Sequence, residues 1–257
     1  MFRIMEQDKT DGGVAALARG LELLRCFTPQ ATSLSNGELA ERTGLPKSTV
    51  SRLTRTLVDL GYLHQDGRAY RVGPSVLALG YAALANLRVR DVARPHMQAL
   101  ADATQTLVSL ATRDRLSMIY LENCRGANNV TLRVAVGTHL PLATTSIGRA
   151  FLAGLPAGER AFLLKELAAR EGRGWRAQAK AVDRELARFS EKGYCLSLGD
   201  WQKDTNAAAV PLACSDGSDL FVLSVSGPAF AVTARQLEED LAPRLVALAR
   251  HIEGLMA

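Results

Sequence analysis

The chain has few cysteines, and none is spaced for a metal site or a disulfide framework. Cys26, Cys124, Cys195 and Cys214 are widely separated, with no C-x-x-C pair and no histidine at zinc-ligand spacing. Isolated thiols are typical of a reducing compartment. We therefore expect a cytoplasmic protein without a bound metal or cofactor.

The sequence also lacks a secretory or membrane-spanning segment. Residues 1–13 are polar and charged, which predicts a disordered leader and not the apolar core of a signal peptide. The longest uncharged run, residues 72–87, contains Gly, Pro and Asn and is too short to span a bilayer. No membrane partner is expected.

Catalytic motifs are missing as well. The chain has no G-x-S-x-G elbow, no Walker A loop and no H-E-x-x-H helix. His64, His96, His139 and His251 are scattered, and nothing in the sequence brings them to one Ser or Cys. We predict no catalytic residue, and an enzyme that uses a cavity of the second domain remains an alternative.

Residues 33–72, in contrast, have the pattern of a winged helix-turn-helix. Ser35 and Glu38 form a capping box that opens a short helix, and Gly44 supplies a tight turn. A second helix is predicted over residues 45–60. A hairpin then follows, with a Gly-containing turn between two short strands.

The second helix has an apolar face and a polar face. Its apolar residues recur at helical spacing and are Val50, Leu53, Leu57 and Leu60. The candidate DNA-binding residues are Lys47, Ser48, Thr49, Ser51, Arg52 and Arg55 on the helix, with Arg68 and Arg71 at the tip of the wing. The order of helix, Gly turn, basic helix and basic hairpin favours DNA binding over a merely solvated surface.

The helix that leaves this domain is apolar nearly all round. Residues 14–73 form the predicted DNA-binding domain, and residues 74–90 a linker helix that includes Leu77, Tyr81 and Leu84. Such a helix is buried on more than one side. We expect it to pack against a second copy, although packing on its own second domain stays open. A dimer would present two recognition helices to two half-sites.

Residues 91–257 predict a mixed domain with a mainly antiparallel sheet, so the fold class is α+β. The predicted strands are residues 106–112, 117–123, 130–136, 194–198, 207–213 and 220–226. The predicted helices are residues 91–104, 146–155, 156–169, 178–192 and 233–256.

Two groups of polar residues in this domain are candidates for a binding site. Thr145 and Ser146 begin a helix, where free N–H groups favour an anion, and Ser224 and Ser226 share one face of a strand. A helix cap and surface serines would give the same pattern. The apolar wall of such a site is predicted from Leu121, Leu132 and Val134.

Several runs together resemble the IclR family of bacterial transcriptional regulators, from about Val14 onward. They are KSTVSRLTRTLVDLGYL, PLATTSIGRAFLAGL, AAAVPL and LSVSGP. The resemblance implies a winged helix-turn-helix, a linker helix and a GAF-like domain with a six-stranded sheet that binds a small organic acid. It also implies dimers that commonly pair into tetramers.

The resemblance also implies which residues hold the acid, namely Thr145, Ser146, Asp200, Ala207, Ser224 and Ser226. Ala207 stands where the family often has a thiol, and Trp201 is bulky for a stretch that is usually acidic and polar. Because a carboxylate beside Asp200 would be repelled, we expect Asp200 to accept a hydrogen bond from a hydroxyl. The expected effector is therefore a hydroxylated or hydroxyaromatic acid.

The sequence predicts a homo-oligomeric regulator that binds double-stranded operator DNA under the control of a small organic acid. An architectural DNA-binding protein, whose second domain only oligomerises, is a further alternative. A cavity filled by side chains between Thr145 and Ser226 would favour it.

Overall fold

The computed structural model describes residues 14–127, 134–213 and 219–257. The chain divides between Asn86 and Leu87 into two compact units. In the first unit, the elements are α1 (Ala15–Arg25), β1 (Ser33–Ser35), α2 (Asn36–Thr43), α3 (Lys47–Asp59), β2 (Leu63–Asp66), β3 (Ala69–Val72) and α4 (Pro74–Ala85).

In the second unit, the described elements are α5 (Arg88–Thr104), β4 (Leu107–Asp114), β5 (Ser117–Arg125), β6 (His139–Pro141), α6 (Ser146–Gly154), α7 (Ala157–Glu171), α8 (Trp175–Lys192), β7 (Cys195–Leu198), β8 (Thr205–Ala213), β9 (Leu220–Pro228), α9 (Ala234–Gln236) and α10 (Ala242–Met256). A short 3₁₀ turn precedes α8, and a π-helical turn joins α9 to α10.

The first unit has the predicted helix-turn-helix. Ser35 N donates to Glu38 Oε2 at 2.8 Å and Glu38 N donates to Ser35 Oγ at 3.3 Å, so the capping box is confirmed. Gly44 turns the chain with φ +68°, a conformation that other residues adopt at a cost. The buried core consists of Leu23, Leu34, Leu39, Val50 and Leu63.

Two details of the apolar stripe on α3 were predicted wrongly. Leu60 is 61% exposed, because α3 ends at Asp59 and Gly61 reverses the chain with φ +77°. Thr54 is fully buried instead, and its hydroxyl donates to Val50 O at 3.0 Å, which satisfies it inside the helix.

The wing has a third strand that the sequence pattern did not indicate. Its order is β1-β3-β2, so β3 lies in the middle of the sheet. Arg71 on β3 pairs in register with Ser33 on one side and His64 on the other. Arg71 is therefore away from the tip of the wing, and Arg68 alone of the two arginines lies in the turn.

Helix α4 has no buried residue in this single chain. Leu77 is 75% exposed and Tyr81 is 70% exposed. The predicted helix does not continue to Leu87, because α4 ends at Ala85 and α5 begins at Arg88 instead of residue 91.

The second unit is built on a six-stranded antiparallel sheet of order β6-β5-β4-β9-β8-β7, which confirms the predicted α+β class. Helices α5 and α10 pack on one face of the sheet. Helix α6 packs on the other face, over a buried core that includes Ala111, Met118, Ala209 and Val222.

The strand predicted at residues 130–136 is a further correction. Residues 130–133 lie outside the described part of the chain, and residues 134–136 form no strand. Gly137 turns the chain with φ +86°, and its N–H donates to Tyr120 O at 2.8 Å. The chain thus meets β5 at Gly137 and runs beside it as β6 from His139, and β6 is an edge strand of the sheet.

The loop before α6 lies directly against the first turn of that helix. A Cβ on Gly148 would overlap the backbone of Leu142. Gly148→Ala is expected to destabilise the protein by about 1–3 kcal/mol, since close-packed atoms would have to move. Thermal or urea unfolding measures the change.

Gly158→Ala in α7 is the matched control, because nothing lies within 4 Å of a Cβ at that position. It should be neutral or stabilising by up to about 1 kcal/mol. Equal stability of the two variants would contradict the close approach at Gly148.

Candidate functional site

The polar face of α3 is largely free. Lys47, Ser48, Arg52 and Arg55 are exposed, as predicted for a face that meets DNA, whereas Thr49 is half-buried. Four hydrogen-bonding side chains are thus available on one helix face. Their contacts with DNA stay a prediction.

Two of the other predicted DNA-binding residues already have partners within the domain. Ser51 Oγ accepts a hydrogen bond from Asn36 Nδ2 at 2.8 Å and donates to Lys47 O at 3.0 Å. Arg71 Nη2 pairs with Asp66 Oδ2 at 3.0 Å across the wing. Ser51 thus links α3 to α2, and Arg71 pairs across the wing at an exposed position.

A cleft opens in the second unit on the α6 side of the sheet. It is narrow, with a cavity volume of about 30 Å³, which is room for about two water molecules. Its described lining is Leu107, Tyr120, Val134, Leu140, Thr145, Ser146, Ile147, Ser197, Trp201, Gln202, Thr205, Ala207, Ser224 and Ser226. The cleft therefore collects five of the six predicted effector-binding residues.

The floor of the cleft is formed by neighbouring strands of the sheet. Ser224 and Ser226 alternate with buried apolar residues on β9, and Ala207 on β8 pairs in register with Ser226. Ser224 is 1% exposed, and its Oγ has no hydrogen-bond partner among the described residues. A buried hydroxyl without a partner is costly unless a ligand or water supplies one.

One end of the cleft is the start of α6. The Thr145 hydroxyl donates to Pro141 O at 2.7 Å and accepts from Gly148 N at 3.0 Å, so this side chain is a helix cap. The N–H groups of Ser146 and Ile147, in the first turn, have no acceptor within the helix. Both residues line the cleft, where these donors and the helix dipole favour an anion.

Tyr120 lines the cleft and was not singled out from the sequence. Burial raises the pKa of its phenol, and a hydrogen bond with Ser109 lowers that pKa by less, so the group stays protonated at neutral pH. Alternation along β5 was the available signal, but a bulge at Leu121 interrupts it beside Tyr120, so the sequence alone could not assign the face.

The predicted apolar wall is only partly present. Val134 lines the cleft as expected, whereas Leu121 is buried away from it, and Leu132 lies outside the described residues. Leu107 and Leu140 form the wall instead, since each lies on a strand that borders the cleft.

Asp200 was expected to face the effector, and its position differs. It does not line the cleft, and its Oδ2 accepts a hydrogen bond from Arg149 Nη1 at 2.6 Å. Arg149 is 1% exposed and also donates to Ala143 O and Leu196 O, each at 2.9 Å. Sequence reasoning missed Arg149, although a charged residue inside the apolar run of α6 was a usable signal.

The described cysteines are poor candidates for a nucleophile. Burial raises the pKa of the Cys195 thiol strongly and that of Cys124 to about 11, so both stay protonated near neutral pH. Within the described residues, no group of three His, Cys, Asp or Glu side chains could hold a metal ion. None of the helices in this part of the chain is long and apolar enough to cross a membrane.

Comparison with known proteins decides the family. Residues 81–254 match the family described as bacterial transcriptional regulator IclR C-terminal, and residues 16–67 match the IclR helix-turn-helix domain. The chain belongs to the IclR family. Because these matched domains are those of transcriptional regulators, the protein is a DNA-binding transcriptional regulator and not an enzyme.

Individual IclR-family relatives match over nearly the whole chain. The HTH-type transcriptional regulator TsaQ1/TsaQ2 of Comamonas testosteroni is 35% identical over 97% of this chain and 91% of its own length. An IclR family transcriptional regulator from Brucella abortus, known from its crystal structure, is 47% identical in sequence. Its TM-score is 0.88, and the match covers 97% of this chain and 95% of that one.

A third relative shares the fold at lower identity. It is an IclR homolog from Microbacterium hydrocarbonoxydans, complexed with 4-hydroxybenzoate. It is 24% identical, with a TM-score of 0.73 over 94% of this chain and all of that one.

Proposed function

We propose that a small organic acid binds in the cleft of the second unit and thereby controls the affinity of the protein for its operator. The observation that carries this proposal is the Ser224 hydroxyl, which is buried in the cleft and has no hydrogen-bond partner in the part of the chain that the structure describes. A protein interior keeps such a group unpaired mainly where a ligand or water completes it.

The charge of the effector follows from the end of the cleft at α6. The N–H groups of Ser146 and Ile147 and the positive end of the helix dipole favour a carboxylate there. Ser224 and Ser226 line the same cleft and add hydroxyl donors from β9. A carboxylate can accept several of these hydrogen bonds at once.

The rest of the effector is expected to be apolar or aromatic, with a hydroxyl. Leu107, Val134 and Leu140 offer an apolar wall, and Trp201 offers a flat one. A hydroxyl on the acid would meet Ser197 or Gln202, both of which line the cleft, and not Asp200. A hydroxyaromatic acid matches the chemistry of these groups. The unpaired Ser224 hydroxyl, and not the size of the cleft, is what weighs against a purely architectural second domain.

Operator binding is assigned to α3 and the wing. The exposed Lys47, Ser48, Arg52 and Arg55 would enter a major groove, and Arg68 at the turn of the wing would reach the DNA backbone. Ser51 and Arg71 would support this surface through their contacts with Asn36 and Asp66.

A dimer is the expected state of the protein, and α4 is its proposed contact. The exposed Leu77, Leu79 and Tyr81 make a helix that water solvates poorly, since α4 has almost no polar side chain. A second copy of α4 would cover these residues, and such dimers would present two copies of α3 to two half-sites. Pairing of dimers into tetramers is part of the same proposal.

The first prediction of this function concerns DNA. Arg52→Ala or Arg55→Ala should weaken operator binding, by about 1–3 kcal/mol for a base contact, or with a salt slope lower by about one unit for a phosphate contact. Titration of a palindromic operator at several salt concentrations separates the two roles.

Arg19→Ala is the matched control, because Arg19 is exposed on α1 and outside the proposed surface. It should leave operator affinity nearly unchanged. If both α3 variants bound DNA as tightly as this control, the assignment of α3 would be wrong.

The second prediction concerns the oligomer. Leu77→Glu should raise the dimer dissociation constant by about a hundredfold or more, because an unpaired carboxylate would enter an apolar contact. Sedimentation measures the mass. Leu77→Met, which keeps the apolar volume, should remain dimeric, and an unchanged dimer in Leu77→Glu would move the contact elsewhere.

The third prediction concerns the effector. Ser224→Ala should weaken acid binding about ten- to a hundredfold, because a charge-assisted hydrogen bond is worth about 1.5–3 kcal/mol. The ligand-free variant should be at least as stable as the wild type, since it loses a buried hydroxyl that has no partner.

Calorimetry with 4-hydroxybenzoate and other aromatic or hydroxylated acids tests this, with thermal unfolding of the ligand-free proteins beside it. Ser190→Ala is the control, since Ser190 lies on α8 outside the cleft. Two results would count against the site: no acid binding to the wild type, or unchanged binding to Ser224→Ala.

A further inference from the structure

One side of the cleft is a short connection between two strands and not part of the sheet itself. Residues 199–204 join β7 to β8, and within this loop Trp201 and Gln202 line the cleft. Thr205, the first residue of β8, lines it too. The loop therefore covers the space in which the acid of the proposed function would bind.

The backbone of the loop is fixed mainly at its two ends. Gly199 has φ +71° and donates its N–H to Thr205 O at 3.1 Å, and Asp204 O accepts from Ala229 N at 2.7 Å. Between these ends, Thr205 N donates to Gln202 O at 3.0 Å. These contacts close the loop on itself and on the end of β9, but none of them joins it to α6.

The contact between the loop and α6 is an ion pair. Asp200 Oδ2 lies 2.6 Å from Arg149 Nη1, and Arg149 is held by Ala143 O and Leu196 O at 2.9 Å each. Because Arg149 is 1% exposed, its guanidinium has little freedom to move. A carboxylate tied to so fixed a cation is itself fixed, and Trp201 is the next residue along the chain.

We propose that Asp200 is a positioning residue: its ion pair with Arg149 holds residues 199–204 over the cleft, so that Trp201 covers the bound acid. Asp200 then sets how long the acid stays bound, without touching it. This inference rests on the proposed function for its effector, but the ion pair and the position of Trp201 exist in the protein without a ligand.

Two assignments of Asp200 make opposite predictions. If Asp200 accepted a hydrogen bond from the hydroxyl of the acid, its loss would weaken hydroxylated acids and spare plain ones. If Asp200 positions the loop, its loss weakens both acids by the same factor, mainly through faster dissociation. 4-Hydroxybenzoate and benzoate differ only in the hydroxyl and are the matched probes.

Trp201 supplies a direct report on the loop. The chain has two tryptophans, Trp175 and Trp201, so Trp175→Phe leaves the loop tryptophan as the only one. In this background, acrylamide quenching of the ligand-free full-length protein measures the exposure of Trp201. Stopped-flow displacement measures the dissociation rates of the two acids.

Asp200→Ala should increase quenching of Trp201 and accelerate dissociation of both acids by a common factor, on the order of ten- to a hundredfold. Asp200→Asn, which keeps an acceptor but loses the charge, should lie between it and the wild type. Asp200→Glu restores the carboxylate and should restore low quenching. Asp200→Ala leaves a buried cation unpaired. If Asp200→Ala does not fold, Asp200→Asn takes its place in both measurements.

Asp204→Ala is the control, since Asp204 lies in the same loop and contributes its backbone carbonyl to the contact with Ala229. It should change neither quenching nor dissociation. Loss of 4-hydroxybenzoate binding alone in the Asp200 variants, or quenching of Trp201 equal to that of the control, would overturn the proposal. If the wild type bound neither acid, the proposed function would fail, and the quenching of the ligand-free proteins would still decide the role of Asp200.

Discussion

A buried guanidinium organises the second unit. Arg149 on α6 has lost its water, and a charge in that position must be paired and hydrogen-bonded. Its partners come from three separate segments: Ala143 in the loop before α6, Leu196 on β7, and Asp200 in the connection to β8. The same three segments carry Thr145, Ser197 and Trp201 of the cleft lining. One side chain thus fixes the loop before α6 relative to the sheet and to the loop that covers the cleft.

Strand β9, inside the sheet, carries a buried polar group that has no hydrogen-bond partner among the described residues, the Ser224 hydroxyl. Ser224 lies deep between β4 and β8, where strand pairing fixes the backbone and alternation turns the hydroxyl into the cleft. A buried group of this kind costs about 1–3 kcal/mol of stability when nothing completes it. Folded proteins leave a buried polar group unpaired mainly at functional sites. Ser224 lines the same cleft as the start of α6 and Tyr120.

Sequence patterns predicted what depends on periodicity. The two helices of the motif, the alternation of Ser224 and Ser226 and most of the sheet followed from spacings of 3.6 and 2 residues. The capping box followed from its own short motif. The strands of three residues did not, because so short a segment has no period to read: β1 was missed, and β6 was placed too early in the chain. Arg71 was placed at the tip of the wing because the turn was predicted to begin at residue 65, whereas β2 runs to Asp66 and Arg71 pairs with His64, away from the turn.

The direction in which a side chain points was the other property that the sequence did not predict. The family resemblance put Asp200 near the effector, and the neighbouring Trp201 does line the cleft, but a position in sequence does not say which partner a carboxylate finds. Asp200 pairs with Arg149 because a buried cation without a counter-charge is strongly destabilising. Leu121 was predicted to line the cleft and does not, because Tyr120, the residue before it on β5, takes the face of the sheet that borders the cleft.

These constraints limit how a bound acid can act at a distance. An effector shifts an equilibrium between two states only by the difference in its affinity for them. Ser224 and Ser226 lie inside a six-stranded sheet and offer nearly the same geometry in any state that keeps the sheet. The loop of residues 199–204 lies outside the sheet and is held by the Asp200–Arg149 ion pair and by the packing of Trp201 on the apolar core, so it is the part of the cleft that can differ between states at moderate cost. The serines would then supply affinity for the acid, and the loop would supply the difference in affinity on which regulation depends.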